Sequence, residues 1–246
     1  AESREYANGD DARHIDWRLT ARTGRPHTKL FQAERERLTL IVADTAPTLY
    51  FGTRTRFKSV QAARAGAIAA WTAVRDGDRI GALRGSVREA PIAPASGSRC
   101  ALRVRDAMVR WYARPPEHDA GLAVALDHAD RLLRPGSRLV VLADPLSVTA
   151  LPATRWPTLV QHREVIVLLL TDPLERDPPR ATLPFFVQHE AVAGAASTAR
   201  RIELDLAAAA QRERWQSAFS APLDEAMATL ARSGIRARAL STDAPS

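Results

Sequence analysis

Three aspartates stand at the ends of the most apolar strands that the sequence predicts. They are Asp44 after LTLIVA, Asp144 after RLVVLA and Asp172 shortly after EVIVLLL. In an open sheet of parallel strands the carboxyl ends share one edge, and ligands bind there. Because hard divalent cations prefer oxygen ligands, the pattern predicts a cation site at this edge. A metal-assisted hydrolase that uses these three side chains is one chemistry that such a site would support.

The same aspartates also suit a second, structural role. An aspartate side chain accepts hydrogen bonds from the backbone at the start of a turn or a helix, and Asp-Pro in ADPLS and TDPLE is typical of a turn. We interpret Asp172 as a cap. For Asp44 and Asp144, capping and cation binding are both open.

Other catalytic patterns are absent from the sequence. Neither GxxxxGK[ST] nor GxGxxG occurs, and there is no GxSxG nucleophile turn. The six histidines are scattered without the HExxH spacing of a zinc site, so surface roles are predicted for them. The single Cys100 excludes a disulfide framework within the chain. A non-enzymatic protein is therefore expected.

The charge raises a third hypothesis, which is nucleic-acid binding through arginine. The formal net charge is +7 and the isoelectric point is about 10.5, a balance that favours acidic partners. The arginines are spread along the chain without interleaved aromatic residues, so nucleic acid is not the expected partner. The longest apolar run, VIVLLL, is far shorter than the roughly 20 residues of a membrane span. No membrane segment is predicted, and the expected location is cytoplasmic.

Apolar runs alternate with helical periodicity along most of the chain, which predicts an α/β fold. We expect a Rossmann-like, doubly wound, mostly parallel sheet with helices on both faces. Residues 1–37 are predicted to be an N-terminal extension, and residues 38–246 the domain. Strands are predicted at 38–43, 79–83, 86–92, 138–143, 164–170, 182–187, 200–204 and 235–240, and helices at 57–75, 98–111, 121–133, 151–163 and 206–233.

The extension contains a segment, residues 6–29, that is dense in charges of both signs around a tryptophan. We interpret the GDD triplet, residues 9–11, as a turn that leads into a helix N-cap, because acidic groups are favourable at the positive end of a helix. Ile15 and Trp17 are predicted to be apolar anchors. The extension would then fasten against the sheet ahead of the first long strand.

The arginines of this segment have two interpretations. Ion pairs of Asp16 with Arg22, or of Asp10 with Arg13, would stabilise the extension. Arg13, Arg18 and Arg22 would alternatively dock an acidic partner. A catalytic role for the acids lacks a matching nucleophile or cofactor.

The same segment follows the pattern YxxGDDxRxIDWxxTAR, which resembles the signature of the bacterial family called domain of unknown function 58. The resemblance continues through ERERLTLIVAD, RLVVLAD and TDPLE, and so covers nearly the whole chain. Members of that family resemble von Willebrand factor A domains and are commonly encoded beside MoxR-type AAA+ ATPases. The resemblance implies a protein-binding or assembly-factor module that works with such an ATPase on a client protein. The signature positions here include Tyr6, Gly9, Asp10, Asp11, Arg13, Asp16, Trp17 and Arg22.

A von Willebrand factor A fold implies a metal-ion-dependent adhesion site. That site resembles Asp-x-Ser-x-Ser after the first strand, a threonine before a later helix and an aspartate after the fourth strand. Carried over by position, these ligands fall on Asp44, Ala46, Thr48, Ala120 and Asp144. Only two carboxylates and the Thr48 hydroxyl remain, which implies a degenerate site that requires no cofactor and binds Mg²⁺ weakly at most. The implied binding surface comprises Asp44, Thr45, Ala46, Thr48, Ala120, Gly121, Asp144 and Ser147.

Overall fold

A computed structural model describes residues 2–7, 12–30, 37–115, 119–188 and 199–244. The chain divides into two compact units, Ala1–Glu36 and Arg37–Ser246. The signature residues Gly9, Asp10 and Asp11, and the N-cap predicted there, lie outside the described residues. In the described part of the chain, no helix has both the length and the apolar character needed to cross a membrane.

The small unit is a two-stranded antiparallel ribbon with a short helix between its strands. Strand β1 (Glu2–Glu5) pairs with β2 (His27–Leu30), and α1 (Trp17–Thr23) lies between them in the chain. The carboxylate of Asp16 accepts from the backbone N–H groups of the first turn of α1 and so caps that helix. Among the described residues it forms no ion pair with Arg22, so that predicted pair is wrong. Trp17, predicted to be an anchor, has 69% of its surface exposed.

The large unit is built on a six-stranded sheet. Its strands are β3 (Leu38–Ala43), β4 (Arg79–Arg84), β5 (Ile92–Ala95), β6 (Arg138–Ala143) and β7 (Glu164–Thr171), and, after a separate antiparallel hairpin of β8 (Thr182–Gln188) and β9 (Ala199–Asp205), β10 (Arg236–Ser241). The strand order is β10-β7-β6-β3-β4-β5. Every neighbouring pair is parallel except β4 with β5. The predicted doubly wound, mostly parallel sheet is therefore confirmed.

Helices cover both faces of this sheet but not equally. The larger group comprises α4 (Gly121–Leu132), α5 (Pro145–Thr149), α6 (Arg155–Val160) and α9 (Ala221–Arg232), and it packs against one face through Leu126, Trp156 and Leu230. The other face carries α2 (Lys58–Arg75) and α3 (Ser98–Tyr112). Strands buried on both sides explain the unbroken apolar runs LTLIVA and RLVVLA.

Three predicted elements differ from the structure. The helix expected over 151–163 is only α6, and Pro145 starts α5 before it. The strand expected at 86–92 forms later, as β5. The helix expected over 206–233 is divided into α8 (Ala209–Trp215) and α9 by a wide π turn, Gln216–Ser220. Pro222 follows that turn, and its missing N–H removes a helical hydrogen bond from the preceding residues.

Cys100 lies at the contact between α3 and the sheet. Its side chain is 2% exposed, and its Sγ donates to the Ile80 carbonyl at 3.1 Å. A thiol in this position behaves as a small apolar residue of the core.

Candidate functional site

The carboxyl ends of the parallel strands bring the predicted aspartates to one edge, where all three side chains are buried. The backbone N–H of Asp144 donates to Oδ2 of Asp44 at 3.0 Å, so these two residues meet as predicted. Asp172 follows β7, which pairs with β6. Asp44, Asp144 and Asp172, at the carboxyl ends of β3, β6 and β7, form the centre of this edge, which is named the strand-end edge.

The start of α4 joins this edge at the end of β4. The N–H of Ala120 donates to the Gly85 carbonyl at 2.7 Å. A Cβ on Gly85 would lie 2.2 Å from the Gly121 carbonyl oxygen, so only glycine permits this approach. Ala120 and Gly121 therefore lie beside the loop that follows Asp44, since β4 pairs with β3.

A lysine that was not among the predicted site residues lies at the centre of the strand-end edge. Lys58 is the first residue of α2, and its side chain is 2% exposed. Its Nζ donates to Oδ2 of Asp144 at 2.7 Å and to Oε1 of Glu175 at 2.6 Å. The signal available in the sequence was its rarity, because the chain has only two lysines among 35 basic residues.

The electrostatics of this triad keep the lysine charged. Burial alone lowers the pKa of Lys58, but the carboxylates of Asp144 and Glu175 outweigh it and raise that pKa above its ordinary value. The Lys58 ammonium thus supplies a positive charge beside Asp144, which is a metal ligand in the adhesion-site pattern. A divalent ion at Asp144 would compete with this ammonium and be repelled by it, so the donor set does not fit a metal while Lys58 is in place.

Asp44 holds the loop that follows β3. Its Oδ1 accepts from the N–H of Ala46 at 3.0 Å, and Tyr112 donates its hydroxyl to the Asp44 carbonyl at 2.8 Å. Burial raises the pKa of Asp44 from 3.8 to about 6, although hydrogen bonds from Ser147 and from the backbone oppose the rise. The neighbouring Thr45 hydroxyl is buried and has no hydrogen-bond partner among the described residues.

Asp172 fastens two separate segments. It caps α7 (Pro173–Arg176) in a capping box with Glu175, which confirms the interpretation of Asp172 as a cap. Its oxygens also accept from the hydroxyl and the backbone N–H of Thr53 and from the hydroxyl of Thr242. Burial raises the pKa of Asp172, but these hydrogen bonds outweigh it and leave that pKa below its ordinary value.

The predicted metal ligands have other roles in the structure. Thr48 is exposed in a single helical turn, Pro47–Leu49, and Asp144 caps α5 by accepting from the Leu146 N–H. Within the described ranges, no three residues of the types His, Cys, Asp or Glu are placed to hold a metal ion. The three strand-end aspartates that a hydrolase would need are used as caps and loop fasteners instead.

An aromatic cleft of about 850 Å³ opens beside this edge. Phe51, Arg54 and Phe57 come from the loop that Asp172 fastens, and Leu183 and Phe185 come from β8. Phe57 has 51% of its surface exposed. This cleft was not predicted from the sequence, although the aromatic residues of FGTRTRF, directly after the first strand-end loop, were an available signal.

Both walls of the cleft are held in place. On one side, a Cβ on Gly52 would lie 2.2 Å from the Arg56 carbonyl oxygen, so the loop depends on glycine for its tight turn. On the other, the ring of Phe185 lies 5.4 Å from that of Trp215, whose indole N–H donates to the Leu174 carbonyl at 3.0 Å. The cleft is therefore a formed surface rather than a gap between loose segments.

Comparison with known proteins places the chain within a family. The family described as "Protein of unknown function DUF58" matches residues 2–222. Uncharacterized protein Rv1480 of Mycobacterium tuberculosis and Uncharacterized protein Mb1516 of Mycobacterium bovis are each 33% identical over 182 residues, which is 72% of this chain and 56% of each relative. The chain spans about half the length of these curated relatives.

Among solved structures, the chain is similar to an aerotolerance-related membrane protein from Bacteroides fragilis NCTC 9343 that carries multiple mutations to serines. The two are 12% identical, the match covers 84% of this chain and 92% of that one, and the TM-score is 0.47.

Proposed function

Because the chain belongs to the DUF58 family, we propose that it is a non-enzymatic, cytoplasmic binding module that works with a MoxR-type AAA+ ATPase as an assembly factor for a client protein. The observation that carries the proposal is the aromatic cleft beside the strand-end edge, which offers exposed ring surface on fastened backbone. Protein interfaces are enriched in aromatic residues and arginine, and both are present here.

The buried polar groups of the edge support a binding role. The carboxylate oxygens of Asp44, Asp144 and Asp172 accept hydrogen bonds from backbone N–H groups, from hydroxyls and from Lys58. Groups used in this way hold the loops in one conformation, and a preorganised surface loses less entropy when a partner binds. The edge is suited to presenting loops to a macromolecule.

The cleft defines the kind of contact that the partner would make. Phe51, Phe57 and Phe185 form an apolar lining for a large side chain, and Arg54 and Asp177 are both exposed beside it. An apolar anchor with an acidic neighbour placed toward Arg54 would match this lining, because anchors buried in pockets carry most of the energy of protein interfaces. The loops around Ala46, Thr48 and Ser147 would form the rim.

The proposed function keeps the binding edge of a von Willebrand factor A domain but does not use the metal ion of that domain. We propose that Lys58 supplies internally the positive charge that Mg²⁺ would bring to the strand-end edge. Binding of the partner would then not require a divalent ion at this edge of the chain.

The proposal is tested by measuring binding of the chain to a purified MoxR-type AAA+ ATPase from the same genome, by biolayer interferometry with ADP or ATP present. Two variants change exposed cleft residues, Phe57→Ser and Arg54→Glu. The matched control is Val109→Ser, because Val109 is an exposed apolar residue on α3, away from the cleft. All three positions are exposed, so the variants are expected to fold.

The cleft variants are expected to weaken binding at least about tenfold, which corresponds to about 1.4 kcal/mol, while the control stays within about twofold. Absence of binding by the unmodified chain at tens of micromolar would remove the ATPase as the partner. Binding that is equal for all four proteins would remove the cleft from the interface.

A further inference from the structure

Among the described residues, one face of the sheet carries fewer helices than the other. In that part of the chain four helices pack on one face and two, α2 and α3, pack on the other, where the core is centred on β3, β4 and β6. Parallel sheets are normally covered on both faces, because their strands are apolar on both. Beyond α2, the face of β7 and of the edge strand β10 is left partly open.

The open face forms an apolar groove of about 330 Å³ beside α2. Its floor consists of Val140, Ile166, Leu168 and Leu240, of which the last three are only half-buried. Ile68 on α2 forms one wall and has 63% of its surface exposed, and Trp71, one turn further on, is exposed too. An exposed apolar surface of this kind marks a site of interaction.

The flanks of the groove are positively charged. Arg64 lines the α2 side. On the other side, Arg238 lies two residues before Leu240 and is paired with Leu168, so its side chain projects from the same face of the sheet. Arg238 is exposed, and its side chain has no ion-pair partner among the described residues.

An ion-pair network lies at the amino-terminal end of the groove. Four arginines there face three acids; the network is composed of Arg37, Arg75, Arg138, Arg236, Asp76, Asp78 and Glu164. The described side chains along the groove therefore carry a net positive charge, to which the exposed Arg238 contributes directly.

We propose that this groove binds an amphipathic helix of a partner protein, with an apolar stripe that packs on the floor and acidic residues along both sides of that stripe. The six residues of β10 span about 20 Å at about 3.3 Å each. About 13 helical residues cover the same distance. The partner helix covers the part of the sheet face beside α2 over which no described helix lies, and its acids pair with Arg238.

The charges also decide against a second copy of this chain as the occupant. A symmetric pair would place the same groove on both copies face to face. The arginine flanks of one copy would then lie against those of the other, and like charges across an interface disfavour association.

A designed probe tests the proposal directly. It is a fluorescein-labelled 16-residue helical peptide with leucines at i, i+3, i+4, i+7 and i+11 and glutamates beside that stripe, and binding is followed by fluorescence anisotropy. Two comparison peptides are used. One carries lysine in place of every glutamate, and the other has the same amino-acid composition as the probe in an order that breaks the leucine stripe. The protein variants are Ile68→Glu and Arg238→Glu, with Val109→Glu as the control on α3, and their urea midpoints establish folding.

The acidic stripe peptide is expected to bind with saturation, and the lysine and scrambled peptides at least about tenfold more weakly. Ile68→Glu and Arg238→Glu each weaken the acidic peptide at least about tenfold, Arg238→Glu gains affinity for the lysine peptide, and Val109→Glu changes neither. Equal binding of stripe and scrambled peptides, or binding that is insensitive to both groove variants, overturns the proposal. So does a dimer in sedimentation velocity that Ile68→Glu dissociates, because the occupant would then be a second copy.

Discussion

The ammonium nitrogen of Lys58 lies 2.7 Å from a carboxylate oxygen of Asp144 at the carboxyl end of the central sheet. The two residues are 86 positions apart in the chain, and Glu175 completes the triad from a third segment. Taking one charge out of water costs several kcal/mol, and here one cation is shared between two anions. The triad therefore joins α2, α5 and α7 in a way that depends on all three side chains.

Lys58→Met is expected to destabilise the protein by about 3–5 kcal/mol, because it leaves two carboxylates buried without a counter-charge. The measurement is the free energy of unfolding in urea. Arg75→Met is the matched control, because Arg75 is exposed and pairs with Asp76 at 3.5 Å on the surface, where such pairs contribute little to stability. A loss from Lys58→Met no larger than that of the control would mean that the triad does not stabilise the fold. The triple variant Lys58→Met, Asp144→Asn, Glu175→Gln should recover part of the loss, since no unpaired charge then remains.

The free energy of unfolding should decrease as the pH rises through the range in which Asp44 ionises. Its pKa is raised in the folded state from 3.8 to about 6, so between these values the folded state binds more protons than the unfolded state. The free energy of unfolding from this group is therefore greatest below about pH 4 and falls until about pH 6, by up to roughly 3 kcal/mol.

This dependence is isolated by the difference between the unmodified protein and Asp44→Asn, measured by urea unfolding at pH 4 to 7. The difference should shift steadily in favour of the unmodified protein as the pH is lowered. A difference that does not change with pH would show that Asp44 titrates normally.

The Thr53→Val variant should loosen the wall of the aromatic cleft while the rest of the fold is unchanged. It removes the hydroxyl that donates to Asp172 but keeps the backbone N–H bond, so a loss of about 1–2 kcal/mol is expected. Hydrogen exchange of the amides in 51–57 should accelerate, and amides of β6 should not change. Thr158→Val, at an exposed position on α6, is the control. Equal exchange in both variants would mean that Asp172 does not hold the loop.

Added magnesium should not stabilise the protein. The Lys58 ammonium already occupies the carboxylate oxygens that a cation would need and would repel it, so urea midpoints in about 10 mM Mg²⁺ and in chelator at matched ionic strength should coincide. A specific ion that binds only the folded state raises stability in proportion to its occupancy. Stabilisation above about 1 kcal/mol would indicate a dissociation constant on the order of 2 mM or below and would contradict the proposed role of Lys58.

The sheet could be predicted from local sequence because each parallel strand is a run of consecutive apolar residues. LTLIVA and RLVVLA lie within strands at the predicted bounds. The cap at Asp172 was equally local, since Asp-Pro within TDPLE identifies a turn or helix start. Signals of this kind extend over a few residues and do not depend on what packs against them.

What could not be predicted depends on partners distant in the chain. Nothing near Lys58 indicates that its counter-charges are 86 and 117 residues away. The run EVIVLLL is typical of a strand buried on both faces, yet Ile166 and Leu168 are half-buried, because none of the helices in the described ranges lies over them. For Trp17, apolar character suggested an anchor, although the side chain is exposed.

The buried thiol of Cys100 makes it practical to attach a label at the cleft or at the groove. The chain has one cysteine, and that sulfur is enclosed between α3 and the sheet with its hydrogen directed at a carbonyl. Maleimide reagents need an accessible thiolate, so the native protein should react slowly while folded. A cysteine placed at position 54 or 68 can then be labelled selectively with a spin probe or dye, without first replacing the natural one.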